Sequence, residues 1–307
     1  MKGLITKNTG SWYQVKTDQG DFYECKIKGN LRLKDIKSTN PIAVGDFVEF
    51  TLNQDGIGMI AGIHDRKNYI VRRSSNLSKQ SHILASNLDL VALVITINYP
   101  ETSTVFIDRF IASAEAYNVT ACIVINKTDR YSDDELEYAA AIKSLYESLG
   151  YPVFMLSAFK PETFVDFTAC LKDKTTLISG NSGVGKSTLI NAISPKSMAK
   201  TGEISSYHNK GMHTTTFSEM YQLENGGLII DTPGIKGFGT VDMEESEISH
   251  YFKEIFKTSK ECRFTNCTHV HEPGCAVLIA VSNHQISNSR YQSYLSILSD
   301  FKTGRYR

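Results

Sequence analysis

Residues 180–187 read Gly180-Asn181-Ser182-Gly183-Val184-Gly185-Lys186-Ser187, with Thr188 next. They fit G-x-x-x-x-G-K-[ST], the pattern of a phosphate-binding loop. Such a loop works because backbone N–H groups of a glycine-rich turn point at phosphate oxygens, helped by the N-terminus of the helix that follows. The flanks agree: Thr175–Ser179 predicts a strand feeding the loop, and Ser187–Ile193 predicts the helix leaving it. Gly180, Gly183 and Gly185 let the backbone come close. Lys186 is expected to bridge the outer phosphates, and the Ser187 hydroxyl to ligate Mg²⁺.

Two further segments complete a nucleotide site, in an unusual order. Asp231-Thr232-Pro233-Gly234 lies 44 residues after Ser187 and follows an apolar run, Leu228–Ile230. Asp231 is where a Mg²⁺-holding aspartate belongs, and the Gly234 N–H would sense the γ-phosphate. Asn126-Lys127-Thr128-Asp129 fits N-K-x-D, a reader of guanine, but stands upstream of the P-loop. The Asp129 carboxylate can accept from guanine N1–H and N2–H₂, donors that adenine lacks, so the wrong base leaves it unpaired. Asn126 is expected at the base edge and Lys127 along base and ribose. Ser157-Ala158, after the next predicted strand, fits a backbone contact to guanine O6. The usual order is P-loop, D-x-x-G, N-K-x-D; here the last comes first, so the domain is circularly permuted.

Around these motifs, strands and helices alternate from about residue 88 to 231. Leu88–Ile97, Ala121–Ile125, Pro152–Leu156, Thr175–Ser179 and Leu228–Ile230 predict strands; Phe106–Tyr117 and Asp133–Leu149 predict helices, the second capped at Ser132/Asp133 and stopped by Gly150. This is the pattern of a parallel, helix-covered α/β sheet whose ligands bind at the carboxyl ends of its strands. Residues 1–70 differ, with five short alternating runs punctuated by Gly, Asp-Gly and Pro, which predicts a small OB-type β-barrel. Residues 71–87 read as a polar linker. The expected divisions are 1–70 barrel, 71–240 nucleotide-binding domain and 241–307 a mostly helical metal-binding module. Chain continuity from Asp231 into that module suggests that motion at the nucleotide is passed to it.

The 307 residues carry 33 Lys/Arg and 33 Asp/Glu, so whole-chain charge argues for no particular partner. Both ends are mildly basic: 13 Lys/Arg against 8 Asp/Glu in residues 1–80, and Arg290, Lys302, Arg305 and Arg307 against Asp300 at the other end. No export signal and no membrane-spanning run is visible; the longest apolar stretch is broken by Asp89. A cytoplasmic, monomeric protein is expected. In a reducing compartment clustered cysteines bind metal rather than each other. Cys262, Cys267, His269 and Cys275 form C-x₄-C-x-H-x₅-C, a Cys₃His set of the kind that holds structural zinc, with His271 the alternative to His269.

Residues 210–216, Lys-Gly-Met-His-Thr-Thr-Thr, sit in a polar stretch before Asp231. A threonine there would join Mg²⁺ only when the γ-phosphate is present, which makes the stretch a switch loop; Thr215 is the first choice and Thr214 the second. Ile235 follows Gly234, where Ras-type enzymes carry a water-orienting glutamine. His213 is the candidate for that task. No arginine stands out as a finger in cis, so slow intrinsic turnover is expected.

The three segments together resemble the RsgA (YjeQ/YloQ) family of circularly permuted GTPases over nearly the whole chain. The resemblance implies GTP hydrolysis to GDP and phosphate, an OB-type barrel, a zinc module, and binding to the 30S ribosomal subunit and its rRNA late in subunit maturation, with turnover stimulated by the ribosome. It also supports His213 and Thr215 as switch-loop residues; the arginine usual in that motif is Met212 here. The reading from another class is a P-loop small-molecule kinase or nucleotide-metabolising enzyme with a structural zinc knuckle. The guanine reader argues against it, because a phosphate donor site rarely needs one.

Overall fold

Alternation of apolar and polar residues builds five strands at the start of the chain: β1 (Lys2–Asn8), β2 (Tyr13–Lys16), β3 (Phe22–Ile27), β4 (Phe47–Leu52) and β5 (Gly58–Ile63). The computed structural model describes residues 1–28, 41–73, 81–194, 218–231 and 243–303. Ile5, Tyr13, Val15, Cys25, Val48, Phe50 and Ile60 turn inward and are buried. The strands run in the order β1-β2-β3-β5-β4, and β1 pairs back onto β4, so the sheet closes into the expected five-stranded barrel.

Residues 71–87 are not a plain linker. β6 (Tyr69–Arg73) and β7 (Ser81–Ser86) form an antiparallel ribbon, and Ile70, Val71 and Ala85 are buried. Each run offers only two or three apolar residues beside a Ser/Asn-rich stretch, too few for the sequence to show the pairing.

The nucleotide-binding domain follows: β8 (Leu90–Ile95), α1 (Thr104–Ala116), β9 (Ala121–Ile125), α2 (Asp133–Ser148), β10 (Val153–Met155), α3 (Val165–Leu171), β11 (Thr175–Ser179), α4 (Lys186–Ile193), β12 (Glu219–Gln222) and β13 (Leu228–Asp231). Every residue of β8 and β9 is buried, as a strand covered on both faces requires. The strand order is β10-β9-β8-β11-β13-β12, parallel apart from β12. Residues of α1 and α2 pack into one apolar cluster, and residues of α3 and α4 into the other. Ser132 caps α2 in a full capping box with Glu135. At the far edge β12 meets β1: Lys7 pairs with Glu219, backed by a 3.2 Å salt bridge, and Lys16 Nζ donates to Gln222 at 2.9 Å. The barrel thereby continues the parallel sheet.

The C-terminal module comprises a 3₁₀ segment (Glu245–Tyr251), α5 (Lys253–Ser259), α6 (Ala276–Ser282) and α7 (Asn288–Thr303). Its apolar cluster takes in Ala112 of α1. Arg290, which the sequence counts among surface charges at the basic end, is 1% exposed. It donates to Asp108 of α1 at 2.7 Å and to both oxygens of Glu254 at 2.7 and 3.1 Å, while its guanidinium lies 4.6 Å from the Phe252 ring centre. Tyr146 of α2 donates to the same Asp108 oxygen. Nearby, Arg109 pairs with Asp300 and donates to Ser296. Arg290 is therefore a buried tie between module and α1, not part of a solvated basic end.

Candidate functional site

The strand register brings the motifs to one edge. Ile95 lies opposite Ile125, Ile125 opposite Met155, Leu93 opposite Ser179, and Ile178 opposite Asp231. The residues just beyond these points are Asn126–Asp129, Ser157-Ala158 and the Gly180–Gly185 loop, with Asp231 itself ending β13. Segments up to 105 residues apart (Asn126 to Asp231) thus share the carboxyl edge of one parallel sheet, where such sheets bind ligands.

In the loop, Gly180, Gly183 and Gly185 all have positive φ (146°, 87° and 94°). Two of them are fixed by neighbours as well: a Cβ at Gly180 would stand 2.2 Å from the Val94 carbonyl oxygen, and one at Gly185 2.6 Å from Asn126 Nδ2. Lys186 is buried, and its Nζ donates to the Gly180 and Asn181 carbonyls, each at 2.8 Å. An ammonium has three donors, so one remains. Burial lowers the Lys186 pKa, and the Asp231 carboxylate opposes that shift, which marks the two as neighbours. Ser187 opens α4 on the exposed side, while Asp231 is buried. A hydroxyl and a carboxylate suit a hard divalent cation such as Mg²⁺.

The base-reading loop is fastened to the phosphate loop. The sequence aims Asn126 at the base edge; in the fold it is buried between the two loops, and its Nδ2 donates to the Val184 carbonyl at 2.9 Å. Lys127, held at φ 65°, donates from Nζ to the carbonyls of Tyr99 (2.7 Å) and Gly183 (2.6 Å). Burial and the nearby Arg130 lower its pKa, with Asp129 opposing. Thr128 N–H donates to the Leu156 carbonyl at 3.3 Å. Asp129 is exposed, and one of its oxygens accepts from the buried Ser157 hydroxyl. Ser157 therefore positions the carboxylate, a role the sequence did not assign to it, and Ala158 follows in the turn.

Some contributors carried no sequence signal. The Tyr131 hydroxyl donates to the Asn126 carbonyl at 2.6 Å and accepts from Ile97 N–H at 2.9 Å; burial pushes its pKa up to about 12. The 96–103 segment supplies Tyr99 and Pro100 beside the phosphate loop. Thr163 Oγ1 accepts from Ser157 N–H. No motif marks these positions, because what matters is contact with a motif. His213, Thr214, Thr215 and Gly234 lie outside the described residues.

The second cluster is at the C-terminal module. One ligand atom from each of Cys262, Cys267, His269 and Cys275 lies within 4.8 Å of the others. Cys262 Sγ is 3.6 Å and Cys275 Sγ 3.5 Å from His269 Nδ1, and those sulfurs are 3.9 Å apart. Tetrahedral zinc with Zn–S of about 2.3 Å and Zn–N of about 2.0–2.1 Å requires edges of about 3.5–3.8 Å, so Cys262, His269 and Cys275 stand near the spacing the ion needs, with Cys267 as the fourth donor of the cluster. His269, not His271, is the histidine in the cluster. Glu272 organises the loop by accepting from Thr268 N (2.7 Å), Thr268 Oγ1 (2.6 Å), Val270 N (3.0 Å) and His271 N (3.1 Å). The Tyr291 and Tyr294 hydroxyls, on α7, donate to the carbonyls of His269 and Thr268, both at 2.7 Å.

Comparison with known proteins agrees with this layout. A family model described as RsgA GTPase matches residues 63–241, and one described as RsgA N-terminal domain matches residues 2–60. Small ribosomal subunit biogenesis GTPase RsgA 2 of Bacteroides thetaiotaomicron is 67% identical over 308 residues, covering 100% of this chain and 99% of that one. The protein named small ribosomal subunit biogenesis GTPase RsgA of Porphyromonas gingivalis is 54% identical over 312 residues, with the same coverage. Among solved structures, YjeQ from Thermotoga maritima superposes with a TM-score of 0.76 at 34% identity, covering 97% of each chain. YloQ, described as a circularly permuted GTPase, gives 0.76 at 30% identity, covering 100% of this chain and 96% of that one.

Proposed function

The chain belongs to the RsgA family of GTPases, and on that premise we propose that it is a guanine-nucleotide switch that binds the small ribosomal subunit and its rRNA late in maturation and hydrolyses GTP when the subunit orders its switch segment. The family's own enzymes are GTPases by name. The observation that carries the reading is the row of motif residues at one sheet edge, with the base-reading loop tied to the phosphate loop through Asn126 and Lys127.

In this reading Asp129 accepts from guanine N1–H and N2–H₂, held in place by Ser157. The Ala158 N–H meets guanine O6, Thr128 and the Lys127 stem border the base, and the second N–H of the Asn126 amide is directed at the ring. Backbone N–H groups from Gly180 to Gly185 and the start of α4 at Ser187 and Thr188 receive the phosphates. Lys186 turns its remaining donor to them. Ser187, Thr215 and Asp231 hold Mg²⁺, which neutralises charge developing on the phosphates when bound. Gly234 responds to the γ-phosphate. His213 orients the attacking water, because Ile235 cannot. Cys262, Cys267, His269 and Cys275 hold one structural Zn²⁺. The protein works as a monomer in the cytoplasm.

The test is GTP hydrolysis by the purified chain alone, with 30S subunits and with 50S subunits. Stimulation by 30S on the order of 10³-fold or more is expected, as for catalytic help supplied in trans, with none by 50S. Equal rates in all three would refute the ribosomal part of the proposal.

A further inference from the structure

Phe159 is 77% exposed, in the turn that follows β10. A lone exposed apolar side chain is ordinary, so exposure alone argues nothing. Its position does. Phe159 is the third residue of a turn closed by a 2.9 Å bond from Lys160 N–H to the Ser157 carbonyl. Its own N–H donates at 3.2 Å to Ser157 Oγ, the atom that donates in turn to Asp129. Thr163 Oγ1 closes the turn from below with a 2.6 Å bond to the Lys160 carbonyl. The backbone of Phe159 is thereby fixed two hydrogen bonds from the carboxylate that reads the base. Among the described residues Tyr99 is a second exposed aromatic at this edge, and it already has the Arg130 guanidinium 5.4 Å from its ring centre.

Guanine held by its Watson–Crick edge has two flat apolar faces that hydrogen bonds do not cover. Lys127, with Nζ pinned to Tyr99 and Gly183, offers its methylene stem to one of them. We infer that the Phe159 ring is a base-binding group that stacks on a face of the guanine held by Asp129, so that the nucleotide completes the burial this side chain lacks. The inference rests on the guanine-nucleotide reading of the site. Stacking adds affinity without reading exocyclic groups, because every base presents a π-face. The ring and the carboxylate therefore divide the work, one supplying affinity and the other selectivity.

The test is calorimetric binding of GDP, IDP and ADP to the full chain and to Phe159→Ala and Phe159→Tyr variants. An exposed side chain is a safe place to substitute, and circular dichroism checks the fold. Phe159→Ala is expected to weaken GDP and IDP together, each by roughly tenfold, leaving the GDP/IDP ratio unchanged, and Phe159→Tyr is expected to restore both. Guanine preference in the unaltered chain together with full GDP affinity in Phe159→Ala would overturn the proposal and leave the site reading standing. So would a variant that binds GDP normally and loses only its response to 30S. Equal binding of GDP and ADP by the unaltered chain would overturn both.

Discussion

In the role proposed for it, Asp129 has two demands to meet: the carboxylate must be held still, and it must keep lone pairs for the base. The Ser157 hydroxyl meets the first by donating to one oxygen; exposure of the residue meets the second. Asp129→Asn keeps an oxygen acceptor for Ser157 while turning a donor toward guanine N1–H. We expect GTP affinity to fall on the order of 10²–10³-fold and xanthosine triphosphate to gain, measured by competition binding; unchanged GTP affinity would refute the assignment. The motif itself was legible because its residues are consecutive, and the fold brings it to the carboxyl edge of the sheet beside the Gly180–Gly185 loop. What Asn126 touches was not legible. Its type and place are in the motif, but its partner, Val184, lies 58 residues on. The Gly185 requirement is of the same kind: a side chain there would collide with the Asn126 amide, so this glycine serves the joint between the two loops.

Among the elements, the loop carrying Cys262, Cys267, His269 and Cys275 is the one that a bound metal would hold together. Cys275 belongs to the module's apolar cluster and immediately precedes α6, so the metal would tie the loop to the helical core. Elemental analysis is expected to find one zinc per chain, lost in Cys267→Ser and retained in His271→Ala, with a lowered melting temperature for the first only. Full zinc content in Cys267→Ser would remove that thiol from the ligand set. The cluster could be read from spacing because three thiolates and an imidazole within fourteen residues have few other uses. Short elements without such chemistry escaped. β12 is four residues, Glu-Met-Tyr-Gln, and only Met220 is fully turned inward. α3, seven residues with Phe167 and Leu171 buried, shows less than two turns of periodicity. In each, packing against neighbours decides the conformation, and neighbours are what one stretch of sequence does not contain.

For the whole molecule the decisive joint is Arg290 with Asp108 and Glu254. Chain continuity alone would hang the C-terminal module from the segment after Asp231; the structure adds a packed attachment to α1, with the guanidinium as its buried centre. Arg290→Met leaves the buried Asp108 and the half-buried Glu254 without their cation. A loss of roughly 3–5 kcal/mol is expected in urea unfolding, offset in part when Asp108→Asn and Glu254→Gln are added. A loss below about 1 kcal/mol would mean that apolar contacts hold the joint by themselves. A charge count cannot reveal this, since it treats Arg290 like any surface arginine. The separation of 182 residues between Arg290 and Asp108 also has a consequence for the chain as it is made. α1 is synthesised early, yet Asp108 lacks its Arg290 partner until α7 has been made. Before α7 is made, Asp108 can draw on the Tyr146 hydroxyl of α2 but not on the Arg290 guanidinium. Docking of α7 on α1 is thus the contact that supplies Asp108 with its counter-charge, and it joins an early segment to a late one.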